Sequence, residues 1–419
     1  MQLIQGLFKN RKTTAAIKTV FLSSIIATCL GALGGVITAR ILNPSELGQF
    51  RAFTIPILYL TILHLGTPDG LYKLIPSHSG RGDLVNLNST IETAKVWSLT
   101  LATMTSLAFI YLSTKALIDN RYEDFAGWAS QAVACWGVFY GTYLSTIYRS
   151  LQQFGQVSRI ELIQSISQFI LVSVLPALRF YGMCIRSALP SAISILLLTK
   201  FKTFDTKLRF NPRIFIDIIH TGFPFFFWIY ISSPVWLATE SALILHLSGN
   251  EALGYLAIAV IIREAISVLP QSIHQVLLPK TVEDYAKTGE IKEINKELIR
   301  IAIITSIAMM IISIFATYLA HIAIPIILPK YVNALNIIGV ATIFPVIQAL
   351  SLPLNSLFAT GKSSLYGRSI IFGVAFFMLS TALYLQYMDA ALSVMTGSLT
   401  GRTVRLIVAY AYVIRNDRD

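Results

Sequence analysis

Charge is what this sequence has least of: only 13% of its 419 residues are Asp, Glu, Lys or Arg, against 55% hydrophobic residues. A soluble core cannot absorb that much apolar surface, so soluble fold classes are excluded at the outset. Acidic residues are the scarcer sign, 21 against 33 Lys plus Arg. Cysteine is nearly absent too. Cys29, Cys135 and Cys184 are odd in number, far apart and set in apolar runs, which argues against a disulfide framework and a metal site. The chain also lacks a Walker-type phosphate loop, an HExxH box and a long polar loop with paired carboxylates. ATP hydrolysis and enzymatic chemistry are therefore not expected, and no cofactor is implied.

What is present is a series of long apolar runs. About 20 residues of helix cross a hydrocarbon core of about 30 Å, where backbone groups must bond internally. Twelve such runs lie near 17–39, 48–68, 94–114, 126–148, 162–180, 183–199, 219–244, 253–278, 298–320, 333–357, 365–386 and 391–413. The first resembles a signal-peptide core but is too long, so it reads as an uncleaved span. The fifth-to-sixth junction, around Arg179 to Arg186, is the tightest.

An even number of spans puts both termini on one side. With the termini inside, only Arg40, Arg51, Lys115, Arg121, Arg179, Arg186 and Lys330 fall outside. The basic excess is then a cytosolic sign and not a nucleic-acid footprint. Among the inner loops, the polar stretch near 283–297 carries Ile291 and Ile294 at helical spacing with Leu298. It is expected to form an amphipathic surface helix.

The sequence also repeats itself. Asn43-Pro44-Ser45-Glu46-Leu47-Gly48 lies 206 residues before Gly249-Asn250-Glu251-Ala252-Leu253-Gly254, and the same shift carries Leu151 and Gly155 onto Leu357 and Gly361. Two distant landmarks sharing one offset point to a six-plus-six duplication with both halves in one membrane orientation. The expected division is a bundle over 1–200, a cytoplasmic linker over 201–213 and a second bundle over 214–419. Asn43 is placed to cap a helix, with Pro44 in its first turn and Glu46 closing a capping box.

Charges inside spans are costly, about 2.5 to 3.5 kcal/mol each near the bilayer centre on insertion scales, so each needs a reason. Arg263 and Glu264 fall midway along the eighth span, Arg402 and Arg405 in the twelfth, and Glu240 in the outer part of the seventh. The central cations are all arginine, whose guanidinium stays charged and binds phosphate or carboxylate in a forked geometry. With Arg40 and Arg51 they make a basic pocket for an anionic headgroup. The other reading is internal ion pairing of Arg263 with Glu240 or Glu264. Asp69, Glu240 and Glu264 are the candidates for holding a coupling ion, although Asp69 in Thr67-Pro68-Asp69-Gly70 also reads as a turn.

The stretch Thr38-Ala39-Arg40-Ile41-Leu42-Asn43-Pro44-Ser45-Glu46-Leu47-Gly48-Gln49-Phe50 resembles the start of polysaccharide flippases of the Wzx type. These belong to the multidrug/oligosaccharidyl-lipid/polysaccharide exporter superfamily. Ile327-Leu328-Pro329-Lys330-Tyr331-Val332-Asn333-Ala334, and Ala359-Thr360-Gly361-Lys362 beyond it, resemble that family's ninth-to-eleventh span region. The resemblance implies an all-α integral membrane carrier with twelve helices in two pseudo-symmetric six-helix bundles, V-shaped and working by alternating access. It implies a cargo of undecaprenyl-diphosphate-linked oligosaccharide, moved across a bacterial inner membrane for O-antigen, lipopolysaccharide or capsule synthesis. A polysaccharide polymerase and a chain-length regulator follow as partners, besides membrane lipids. A cation-coupled multidrug exporter of the same superfamily is the alternative, and a membrane-embedded glycosyltransferase or polymerase is the alternative from another class.

Overall fold

The computed structural model describes residues 11–416 apart from 203, 205 and 206, so Lys9 and part of the expected linker lie outside the described residues. Among the described residues there is no strand. The first half runs as α1 (Arg11–Ile41), α2 (Pro44–Leu60) bent against α3 (Thr67–Gly80), and α4 (Leu84–Ile118). Then come α5 (Tyr122–Trp136), continuing through a π turn into α6 (Thr142–Ser150), and α7 (Phe154–Ile170) leading into α8 (Leu175–Lys200). The second half runs as α9 (Pro212–Tyr230), α10 (Trp236–Thr288), α11 (Ile291–Ile327) and the short α12 (Leu335–Ala341), α13 (Phe344–Leu350) and α14 (Asn355–Ala359). It closes with α15 (Ser363–Tyr384) and α16 (Ala390–Asn416).

Among the described residues seven helical runs are individually long and apolar enough to cross a membrane, and the bent α2–α3 pair makes an eighth. Two of the seven, Phe154–Lys200 and Phe226–His274, are 47 and 49 residues long. At about 1.5 Å per residue each would reach roughly 70 Å, more than twice a hydrocarbon core. Each is broken instead. Arg179 (φ 44°, ψ −117°) interrupts the first and Gly249 (φ 75°, ψ −171°) the second, so each run is two spans. With the continuous α5–α6 rod and α16, the helical segments follow the twelve expected spans. The chain is a multi-pass membrane protein.

The ends of the helices are set by local chemistry. The Asn43 N–H donates to Glu46 Oε2 at 2.9 Å, the return half of the expected capping box, with Pro44 opening α2. Asp83 accepts from the Asn86 N–H at 3.1 Å and caps α4. The amphipathic helix expected near 283–297 is not one helix. Gly289, at φ 68°, ends α10 in a left-handed turn, and α11 begins two residues later. The apolar face read from the sequence is nevertheless used. Ile294, Leu298 and Ile301 of α11 pack with Ile273 and Leu277 of α10 and with Leu352.

The helices form two compact units that do not coincide with a cut at the 201–213 linker. The first unit takes residues up to Ile41 and Pro56–Tyr230, and the second takes Leu42–Ile55 and everything from Ile231. The start of α2 thus packs with the second half of the chain, whereas α9 packs with the first. In the first unit, α3 crosses α9 at near-contact distance: a Cβ on Gly66 would lie 2.6 Å from the Gly222 carbonyl carbon. One core of this unit is built from Leu71, Ile75, Ile91, Tyr143, Ile147 and Tyr148.

Candidate functional site

Most of the charges buried in the second unit meet at one place. Glu240, one turn after Trp236 on α10, is fully buried. Its Oε1 accepts from Arg402 Nη2 at 3.2 Å and from the Ser398 hydroxyl, both on α16. Ser398 in turn accepts from the Trp236 indole N–H at 2.8 Å. The other carboxylate oxygen, Oε2, faces Arg263 Nη1 at 3.6 Å, beyond the Gly249 break on α10. That is an ion-pair distance without a hydrogen bond, and both atoms are buried with no hydrogen-bond partner.

Aromatic rings frame the guanidiniums. Arg402 lies over Trp236 (4.8 Å to the ring centroid) and over Phe344 (5.1 Å), while Arg263 lies over Phe344 at 5.3 Å. Phe344 is thus shared by both arginines, and Trp236 stacks on Phe377 behind them. Each such face stabilises a desolvated cation by about 2 kcal/mol, less than the several kcal/mol that burying an ion costs. The carboxylate is therefore the main compensation, and one carboxylate cannot neutralise two guanidiniums.

The other predicted residues fall into distinct positions. Arg51, on α2 and within the second unit, shares the electrostatic field of Arg263, Glu240 and Glu264, and its Nη1 is buried without a hydrogen-bond partner. Glu264 touches Arg263 at 3.4 Å, but its side chain is 54% exposed, whereas Glu240 is fully buried. Arg405 is hydrogen-bonded to Tyr366 and stacked over its ring at 5.0 Å. Arg40 is exposed in the last turn of α1 and belongs to the first unit. Asp69 sits in the first turn of α3, also in the first unit, one turn from Lys73.

Of the three coupling-ion candidates, Asp69 belongs to the first unit and Glu240 and Glu264 to the second. Glu240 lies between two guanidiniums, a field that repels a metal cation. Among the described residues no group of three His, Cys, Asp or Glu side chains is arranged to hold a metal. Of the two sequence readings of the arginines, the internal pairing is present: Glu240 pairs with Arg263 and, beyond what the sequence suggested, with Arg402. Sequence reasoning missed Ser398, Trp236, Phe344 and Tyr366. The signal available for two of them was spacing, since Ser398 precedes Arg402 by four residues and Trp236 precedes Glu240 by four, each on one helix face.

No family model matches the sequence, and no curated protein is similar to it at the level of sequence. Solved structures are similar to it in fold. An inward-facing multidrug resistance MATE family transporter of the MOP superfamily matches with a TM-score of 0.71 at 14% identity, over 95% of this chain and 98% of that one. The outward-facing form of such a transporter matches at 0.69, also at 14% identity, over 99% and 98%. A MATE transporter in its bent conformation matches at 0.66 and 13% identity, over 99% and 97%. The chain has the fold of the MATE transporters.

Proposed function

We propose that this protein is an alternating-access membrane carrier whose cargo presents an oxyanion. The finer reading is a flippase that moves undecaprenyl-diphosphate-linked oligosaccharide from the cytoplasmic to the periplasmic leaflet of a bacterial inner membrane, with both termini cytoplasmic. One observation carries the choice of an anionic cargo. Arg51 and Arg263 each bury a guanidinium nitrogen that has no hydrogen-bond partner, beside a single buried carboxylate already held by Arg402. A phosphoryl group supplies the missing acceptors and the missing negative charge together.

The comparisons favour the other reading on likeness alone, since the similar structures are MATE transporters and two are described as multidrug resistance proteins. A cation-coupled exporter needs deep carboxylates free to take a cation, and the one fully buried carboxylate among the described residues is already between arginines. The charge of the site supports the flippase.

Export of the surface polysaccharide in cells carrying Arg263→Ala or Arg263→Lys decides between the two. Loss of export in both variants, with lipid-linked oligosaccharide accumulating on the inner leaflet, is the expected result. Intact export with both, together with efflux of cationic dyes that depends on a sodium or proton gradient, establishes the exporter instead.

A further inference from the structure

The two oxygens of Glu240 are treated differently by the fold. Oε1 is fixed by the Ser398 hydroxyl and by Arg402 Nη2 at 3.2 Å, and Ser398 is itself fixed by the Trp236 indole. Oε2 has only the long 3.6 Å approach to Arg263 Nη1. A carboxylate meant to lock two arginines together would bond both, because an unmade hydrogen bond between buried polar atoms is costly. A carboxylate anchored on one side and loose on the other belongs to one arginine permanently and to the second conditionally.

From this asymmetry we infer that Glu240 is an internal anion that holds Arg263 while the site is empty and yields it to the phosphoryl oxygens of the cargo. The inference rests on the anionic-cargo reading above and adds a competitor to it. Arg402 is then a positioning residue: stacked on Trp236 and Phe344, it keeps the carboxylate in reach of Arg263 without letting it leave. The competition has a use. Two or three buried arginines facing a diphosphate alone would hold it too firmly to let it go, whereas an anchored carboxylate of the same charge sign returns to Arg263 and promotes release. Binding is weakened so that turnover is kept.

The test is binding by the purified full chain in nanodiscs, with geranylgeranyl diphosphate and inorganic pyrophosphate as probes and titration calorimetry as the readout. Removing the competitor with Glu240→Gln is expected to tighten diphosphate binding at least ten-fold while export in cells falls. Glu240→Asp, whose shorter arm draws back from Arg263 but keeps its charge at Ser398 and Arg402, is expected to fall between wild type and Glu240→Gln. A gain with both probes means that the site reads phosphoryl groups alone, and a gain confined to the prenylated probe means that it reads a lipid headgroup.

Glu240→Asp also covers the case in which Glu240→Gln does not fold. Unchanged or weaker binding in a variant whose thermal unfolding matches wild type overturns the inference and leaves the anionic-cargo reading standing. If the wild type binds neither probe and Arg263→Ala changes nothing, that reading fails, and the inference fails with it.

Discussion

Gly48 and Gly254 meet backbone to backbone: a Cβ on Gly48 would overlap the Asn250 carbonyl oxygen and lie 2.8 Å from the Gly254 nitrogen. The contact is reciprocal, for a Cβ on Gly254 would lie 2.6 Å from the Pro44 carbonyl carbon. Pro44 and Asn250, like Gly48 and Gly254, are 206 positions apart. The two segments read from the sequence as a repeat therefore pack on one another, each using the same positions, as in a two-fold contact.

Alanine at either glycine forces the two helix starts apart. Gly48→Ala and Gly254→Ala are each expected to cost about 1 to 3 kcal/mol, the usual range for overpacking. Because both act on one contact, the double variant is expected to cost less than the sum of the singles. Gly31→Ala, inside α1 with nothing within 4 Å of the added atom, is the control and does not lower the unfolding midpoint. Additive losses in detergent-solubilised protein would show that the two glycines act separately.

Glu240 and Glu264 touch the same arginine from opposite environments. Glu240→Ala strands two buried guanidiniums and is expected to destabilise by about 3 to 5 kcal/mol. Glu264→Ala removes a partner that is more than half exposed and is expected to stay within about 0.5 kcal/mol of wild type. Denaturation of the two variants side by side measures the difference.

Ser398→Ala takes away the acceptor of the Trp236 indole and one anchor of Glu240. Its expected cost is about 1 to 3 kcal/mol, because a buried donor is left unmatched. The Trp236 contribution to the emission spectrum shifts with it. Difference spectra against Trp236→Phe check this, and an unshifted Trp236 component counts against the network.

Asp83 caps α4 outside the spans. The Asn86 backbone N–H and side chain, with Arg81 and His78 nearby, hold its carboxyl below the ordinary value of 3.8. A depressed folded-state pKa means that the stabilisation is fully present above 3.8 and is lost as pH falls through the folded value. The gap in unfolding midpoint between wild type and Asp83→Ala is therefore expected to hold steady from neutral pH to about pH 4. It closes in more acidic buffer. A gap that widens on acidification would contradict the assignment.

The spans were legible because hydropathy is a local property: a run of 20 apolar residues identifies itself without knowing its neighbours. The break at Arg179 was legible for the same reason, from flanking arginines in a short junction. The split at Gly289 was not, since the polar stretch keeps its helical spacing on both sides of one left-handed residue. In the site, Arg263 and Glu240 were visible as misplaced charges. Their anchoring was not, because Ser398 and Arg402 lie about 160 positions from Glu240 and Phe344 has nothing to mark it among the 24 phenylalanines of the chain. Arg51 was read as one of two arginines flanking an outer connection, but only the structure shows that it belongs to the same unit as Arg263 and lies in its field.

The assignment of Leu42–Ile55 to the second unit sets a timetable for biosynthesis. The arm is made early, yet the chain that completes its packing begins at Ile231, after the 175 residues of 56–230 have been synthesised. At about 5 to 20 residues per second that interval is roughly 10 to 35 s. A helix forms in about a microsecond. Until the later half emerges, the face bearing Gly48 has only lipid or an insertion chaperone to cover it, and the pace of assembly is fixed by the ribosome.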